Sequence, residues 1–374
     1  MTYTLQTHEL NGFSTGRDVI TTAPVLKDTL AVPGMTAPQY MSWLEGHHPR
    51  LASLLDPNIV KDWDRLANHF IGLGEVPGHL EFTEEPEKGR GYAYRTGQKR
   101  YPLARATGYK AIFELLHAGT LGMSPRSVVV DCLGGNGTLW RASRVLLPAF
   151  RQPYLISADP SADMILDAIR QDIPALRQAA QVTLFTSSVV DAAFFGYGLH
   201  HIHPSDRLGT LREAFRYLKP GGLIVLHDFE EGTPTARWYS EGLDRYTATG
   251  HKFAHFTATE YRELLRDAGF TSVNVFPMYD PFVFIGDNAE AVRFELLNHL
   301  VEMFGMVKLA RSPEESRLQF SDRIEATLSP FATFDAGDVA FAPAAFRRFV
   351  IFQEKPGLWR AEFPRIALMA TAHK

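Results

Sequence analysis

The chain has 374 residues, 45% of them hydrophobic, 21% charged and 12% aromatic, which is globular composition in a length beyond one minimal domain. A formal net charge of −4, with Lys and Arg scattered rather than clustered, argues against nucleic acid as a partner. No apolar run reaches the roughly 18 residues of a membrane span. The N-terminus MTYTLQTHEL lacks the basic-then-apolar pattern of a signal peptide, and the lone Cys132 suits a reducing, cytoplasmic setting.

The first hundred residues read as helical. Tyr40, Trp43, Leu44, Leu51 and Leu54, then Ile59, Val60, Trp63, Leu66 and Phe70, recur at helical spacing. The polar stretch Glu84 to Arg100 reads as a loop whose aromatics Tyr92 and Tyr94, with Tyr101 just beyond, either roof a site or pack on the surface. A helix over Ala104–Leu121 then leads into the apolar, β-branched run from Ser127 to Leu133, a buried strand. Gly134-Gly135-Asn136-Gly137 breaks it, and Leu139, Ala142, Val145 and Leu146 restore helical periodicity. A second strand, Tyr154–Ala158, ends at Asp159. After a helical segment Ser161–Ala180 come a third strand, Val182–Thr186, and a fourth, Ala193–Tyr197. Leu208, Leu211, Phe215 and Leu218 mark the next helix, which stops at Lys219-Pro-Gly-Gly222 before strand five, Leu223–Leu226.

Thr257 and Glu260 form a capping box, Gly269 ends the helix they open, and strand six spans Ser272–Phe276. About eighty residues with their own amphipathic helix (Leu296, Leu297, Leu300, Val301, Phe304) separate it from strand seven near Arg365–Thr371. Alternating strands and helices predict an α/β fold: a Rossmann-like, seven-stranded, mostly parallel sheet with helices on both faces. The predicted division is an N-terminal helical cap at 1–102, a core at 103–286, an inserted lid at 287–360 and the final core strand at 361–374.

The order of these pieces resembles the cofactor-binding signature of class I S-adenosylmethionine (SAM)-dependent methyltransferases. It comprises Asp131-Cys-Leu-Gly-Gly-Asn-Gly137, Asp159 ending strand two, Phe195-Gly-Tyr-Gly-Leu-His-His-Ile202, and Lys-Pro-Gly-Gly before strand five. The resemblance covers roughly Ala104–Ile285 plus the last strand, and it implies SAM as co-substrate. In that family the turn cradles the methionine half of SAM at a helix N-terminus, and the strand-two acid receives the ribose hydroxyls. The implied cofactor residues are Asp131, Gly134, Gly135, Asn136, Gly137 and Asp159. Tyr197 is added as a ring for the sulfonium or as a strand terminator. Two departures stand out. Leu133 occupies a position where the family usually has glycine, and no acid follows strand three, so Ser187 or Ser188 is the expected substitute at adenine, with Asp191 starting strand four.

His200, His201, His227 and Asp228 follow strands four and five, whose carboxyl ends flank the crevice, and are the expected proton-handling residues; capping and packing roles are the alternative. His227-Asp228 with His251 or His255 has metal-ligand chemistry, but without a second fixed-spacing pair no metal is expected. The resulting expectation is a methyltransferase of small-molecule biosynthesis, acting on a small molecule enclosed by the lid. No nucleic-acid or membrane partner is expected, and a homodimer is compatible with the chain. Two rival readings are kept. The first is non-methyl use of SAM, by aminocarboxypropyl transfer or cyclisation to azetidine-2-carboxylate with release of methylthioadenosine. The second is a SAM-binding protein without turnover.

Overall fold

The computed structural model describes residues 29–75, 89–120, 122–335 and 347–374. A short hairpin, β1 (Leu30–Val32) and β2 (Met35–Thr36), precedes the helices Ala37–His47, Pro49–Ala52, Pro57–Val60 and Trp63–Gly72. Asp62 splits the helical pattern read across Ile59–Phe70, because its carboxylate accepts from the Asp64 and Arg65 N–H groups and starts a new helix. This cap docks on the edge of the central sheet. Tyr40 donates its hydroxyl to the Ala175 carbonyl at 2.9 Å, and Arg177 reaches the Ala31 carbonyl at 2.7 Å.

The central sheet holds β3 (Val128–Cys132), β4 (Tyr154–Asp159), β5 (Ala175–Arg177), β6 (Val190–Gly196), β7 (Leu218–Asp228), β8 (Thr271–Tyr279) and a last strand, Ile366–His373. In space the order is β5-β4-β3-β6-β7, then the last strand, then β8. The first five are parallel, and the last strand lies antiparallel between β7 and β8. Every residue of β3 is buried, as its Val-Val-Val-Asp-Cys run demands of a strand covered on both faces. The order reverses between β3 and β6, so a crevice opens beyond their carboxyl ends.

Several elements differ from the sequence expectation. The third strand of the sheet is β5, not Val182–Thr186. The helix opened by Ser161 ends at Ile169, Asp172 turns the chain with φ 53°, and three residues suffice to pair with β4. Leu184–Thr186 instead pairs with the cap: Asp56 N–H donates to the Leu184 carbonyl at 2.8 Å, and Thr186 N–H to Leu54 at 2.9 Å. Only half of the Thr257 capping box forms, since Glu260 turns its carboxylate to Arg207 at 2.8 Å. The segment read as a loop is helical over Gly91–Arg100, while residues 76–88 lie outside the described residues. Its Gly and aromatic content is a poor helix sequence, so tertiary packing holds it in place.

Between β8 and the last strand, the insertion builds a sheet of its own: β9 (Phe282–Gly286), β10 (Val350–Lys355) and β11 (Leu358–Phe363), in the order β10-β11-β9, with the final strand thus becoming β12. Helices Ala289–Met303 and Arg317–Leu328 pack with it. Leu296, Leu297, Leu300, Phe320 and Phe363 share one apolar core with Phe229, Trp238, Tyr239 and Leu243, which follow β7. The insertion therefore runs across 282–363, wider than the 287–360 expected, and its core continues into the central domain.

Gly97 shows how closely the helix Gly91–Arg100 approaches the helix Ala289–Met303. A Cβ there would lie 2.6 Å from the Met303 Cβ, with Met303 Cα at 2.9 Å. Gly97→Val should therefore cost about 1–3 kcal/mol in urea denaturation by forcing the two helices apart. Unchanged stability would show that this helix contact is looser than the structure has it.

Candidate active site

The crevice is lined first by the turn after β3. Leu133 (φ 65°), Gly135 (φ 55°) and Gly137 (φ 84°) all take left-handed backbone, which bends the chain sharply from strand into the helix Thr138–Leu146. At Gly134 a Cβ would meet the Ser157 hydroxyl at 2.7 Å and the Asp131 carboxyl carbon at 2.8 Å, so only glycine fits. Leu133, the departure noted in the sequence, is accommodated from across the cleft. Its side chain abuts Gly198, where a Cβ would lie 2.8 Å away.

Asp159 is fixed at the end of β4, accepting from Gly135 N–H at 2.9 Å and Ser161 N–H at 2.8 Å. Burial pushes its carboxyl up to about 6, and those two N–H donors work against the rise. Asp131 is also raised well above the usual carboxylate range, by burial and by the nearby Asp159 charge. Asp131, Gly134, Gly135, Asp159 and Tyr197 line one cavity.

Other expected cofactor residues stand elsewhere. Asn136 turns inward, donating to Asp167 at 3.0 Å and accepting from Arg141 at 2.9 Å, so it braces the turn from beneath instead of facing the cavity. Gly137 permits close packing, because a Cβ there would meet Ile173 at 2.8 Å. Ser187 and Ser188 lie before β6, at the opposite end of that strand from the crevice, where Ser187 accepts from Arg216 at 3.1 Å. Their expected role followed from the misplaced third strand. With β5 ending at Arg177, the cavity wall on that side is supplied by Gln181.

Beyond Tyr197 the cavity continues into a second compartment. The two share Tyr94, Gln98, Arg105, Tyr109, Thr138 and Tyr197. The second is closed by Tyr101, Tyr239, Phe282, His299 and Phe304, so the helix Gly91–Arg100 and the insertion together form its roof. Tyr92 points away and is 55% exposed.

Behind Arg105 and Tyr197, which line both compartments, lies Asp280, fully buried just after β8. It accepts from Arg105 Nη2 at 2.8 Å, Arg365 Nη2 at 2.9 Å and the Tyr197 hydroxyl at 2.7 Å, with His227 Nε2 at 3.4 Å. Burial would raise this carboxyl, but the two guanidinium groups outweigh it and hold it well below the usual carboxylate range. Burial also lowers His227, which leaves it neutral near pH 7. The Tyr197 ring is already engaged, with Arg105 and Arg365 at 4.6 and 5.0 Å from its centroid and Phe229 stacked at 4.6 Å. Its ring therefore packs against the arginine cluster while it also lines the cavity.

The four expected proton-handling residues divide into two groups. His227 belongs with Asp280. Asp228 instead fixes His200, accepting from its backbone N–H at 3.0 Å and its Nδ1 at 2.8 Å. Of the four, His201 lines the cavity, while His200, His227 and Asp228 are buried behind the wall. Asp280, Arg105 and Arg365 went unread in the sequence. A charged residue set among apolar ones at a strand end, Tyr279-Asp280-Pro281, was the available signal.

Residues 111–275 match the model of a family described as a methyltransferase domain. Over that stretch the chain is similar to methyltransferase domains. Among curated relatives, an uncharacterized protein of Mycobacterium tuberculosis is 29% identical over 146 residues, covering 34% of this chain and 50% of its own. A ubiquinone/menaquinone biosynthesis C-methyltransferase of a Caulobacter species is 28% identical over 140 residues, covering 35% and 54%. The chain thus spans about half the length of the curated relatives it matches. Among solved structures it is similar to a methyltransferase described as putative, in complex with the Trm112 activator of Haloferax volcanii. That likeness has TM-score 0.45 and 16% identity, and covers 78% of this chain and 98% of the other. A likeness of that size carries no weight for function.

The raised Asp159 carboxyl gives the family's cofactor a pH signature. If the ribose sits on Asp159, only the ionised carboxylate accepts from both of its hydroxyls, so SAM affinity is full well above pH 6 and falls as pH drops through it. With a carboxyl near 6, calorimetry at pH 5 should show SAM bound roughly tenfold more weakly than at pH 7.5. Equal affinity at the two values, in protein shown to be folded at both, would contradict the placement of ribose on Asp159.

Proposed function

We propose that this protein transfers the methyl group of SAM to a small molecule held in the second compartment. The observation that carries the reading is the continuity of the cavity. The glycine turn and Asp159 line one end, and an aromatic chamber roofed by the helix Gly91–Arg100 and the insertion forms the other. Methyl transfer is an in-line displacement that SAM itself makes feasible, so alignment and exclusion of water are what a protein chiefly adds. A chamber enclosed by three non-contiguous parts of the chain suits a small acceptor. The relative named for ubiquinone and menaquinone biosynthesis supports a small-molecule substrate in the same direction.

In this reading Asp159 receives the ribose, Gly134 and Gly135 admit the methionine half, and Asp131 stands near its ammonium. Gln181 takes the adenine-side wall. The corner formed by His200, His201 and Asp228 handles the acceptor's proton, with His201 presenting the imidazole to the cavity. His227 acts at a remove, through Asp280 and Tyr197.

One observation favours a second reading, the non-methyl use of SAM. Leu133 replaces the usual glycine while keeping left-handed backbone, and the wall beyond β5 offers Gln181 instead of an acid, so the cofactor's pose need not be the common one. The products separate the readings. Incubation with SAM and candidate acceptors should release S-adenosylhomocysteine; methylthioadenosine instead would establish arm transfer or cyclisation. Asp159→Ala should weaken SAM binding by about 1.5–3 kcal/mol, since two hydroxyl donors lose their charged acceptor. Absence of both products, with SAM still bound, would leave a binding protein and refute the transferase proposal.

A further inference from the structure

We propose that His200, His201 and His251 form a binding site for a first-row divalent metal ion, zinc being the ion their donor set suits best, in the wall of the substrate cavity. One ring nitrogen from each lies within 4.8 Å of the other two. Ring centroids are 4.2 Å apart for His200 and His201, 5.2 Å for His200 and His251, and 5.3 Å for His201 and His251. Zinc–imidazole bonds of about 2.0–2.1 Å place tetrahedral ligand nitrogens roughly 3.4 Å apart, so small side-chain rotations close the cluster around an ion.

Two separate segments bring the histidines there. His200 and His201 sit on the short turn Leu199–His201 after β6. His251 follows Gly250, whose φ of 76° turns the chain, and its own N–H donates to the Asp244 carboxylate at 3.0 Å. His200 also has the carboxylate support that zinc-bound histidines ordinarily have. With Nδ1 donating to Asp228 at 2.8 Å, its Nε2 carries the lone pair. His255 stands 6.1 Å from His200, ring to ring, and its Nε2 is buried without a hydrogen bond among the described residues.

Three neutral imidazoles and no thiolate are the donors of a catalytic rather than a structural zinc site, one that keeps a coordination position for water or substrate. His201 lines the cavity, which places that position toward the acceptor. The use of the ion in turnover rests on the methyl-transfer reading, with the corner then acting on the acceptor as a Lewis acid in place of a free His201 imidazole that takes its proton; its binding does not.

The test uses tag-free, full-length protein, dialysed against chelator and titrated with Zn2+ by calorimetry and with Co2+ by visible absorption. The expected result is one ion per chain and a Co2+ spectrum of nitrogen-rich, low coordination number. Asp228→Asn should weaken Zn2+ binding roughly 10–100-fold through loss of the carboxylate behind His200, and His251→Ala should weaken it further and abolish the Co2+ band. His47→Ala, at the surface, should bind as wild type. No stoichiometric binding by the wild type would overturn the site, as would wild-type binding by folded His251→Ala. If His251→Ala does not fold, His201→Gln decides on the same terms. SAM affinity is measured in parallel on metal-free protein. Lost metal binding with intact SAM binding strikes the site alone, and bound metal with no S-adenosylhomocysteine formed strikes the methyl-transfer reading alone.

Discussion

A single buried carboxylate ties the molecule together. Asp280 follows β8, yet its partners come from before the helix Ala106–Gly119 (Arg105), after β6 (Tyr197), at the end of β7 (His227) and just before β12 (Arg365). An isolated carboxylate in such a place would cost several kcal/mol in lost hydration, so it is tolerable only because two guanidinium groups and a hydroxyl meet it together. Arg365 adds a second bond, from Nε to the Asp280 carbonyl at 3.0 Å. The fit leaves no slack on the helix side. A Cβ at Gly108 would fall 1.9 Å from Asp280 Oδ1, so that position must be glycine. Two guanidiniums around one carboxylate also leave net positive charge between the compartments.

Much of the site's shape follows from that constraint. Arg105 and Tyr197 belong to both compartments, so the cluster that joins five chain segments is also the waist of the cavity. The insertion enters through β9, two residues after Asp280, and returns through Arg365. Its two ends are therefore pinned beside the site by the same ion pairs. The apolar core it shares with Trp238, Tyr239 and Phe229 then fixes the aromatic roof. The glycine turn and the second compartment are thus held in register by the ion pairs at Asp280 and by the core the insertion shares with the residues after β7.

The sequence carried the core well where the signal was local. Val128–Cys132, the glycine turn and Asp159 were readable because buried β-branched runs and glycine turns announce themselves within a few residues. Non-local features were not readable. β5 is three residues long, too short to show a period of two, whereas Val182–Thr186 has strand character but pairs with the cap. Gly91–Arg100 is helical because Gly97 meets Met303, two hundred residues away, and nothing in its own composition says so. The four polar residues after β6 and at the end of β7 were found from strand ends, but their division between Asp228 and Asp280 depends on a residue that follows a third strand, β8. Asn136, Ser187 and Ser188 show the same limit: Asn136 sits in the turn but its side chain points to Asp167 and Arg141, and the two serines lie at the far end of β6 because β5 is not where the sequence put it.

The account stands on the claim that one cavity holds the cofactor against Asp159 and points its reacting end toward the chamber beyond Tyr197. A crystal structure with S-adenosylhomocysteine measures this directly. The account predicts both ribose hydroxyls on the Asp159 carboxylate, the amino-acid arm over Gly134 and Gly135, and the sulfur directed at the compartment shared by Arg105 and Tyr197. A ribose bound elsewhere, or a sulfur turned away from that compartment, would contradict it.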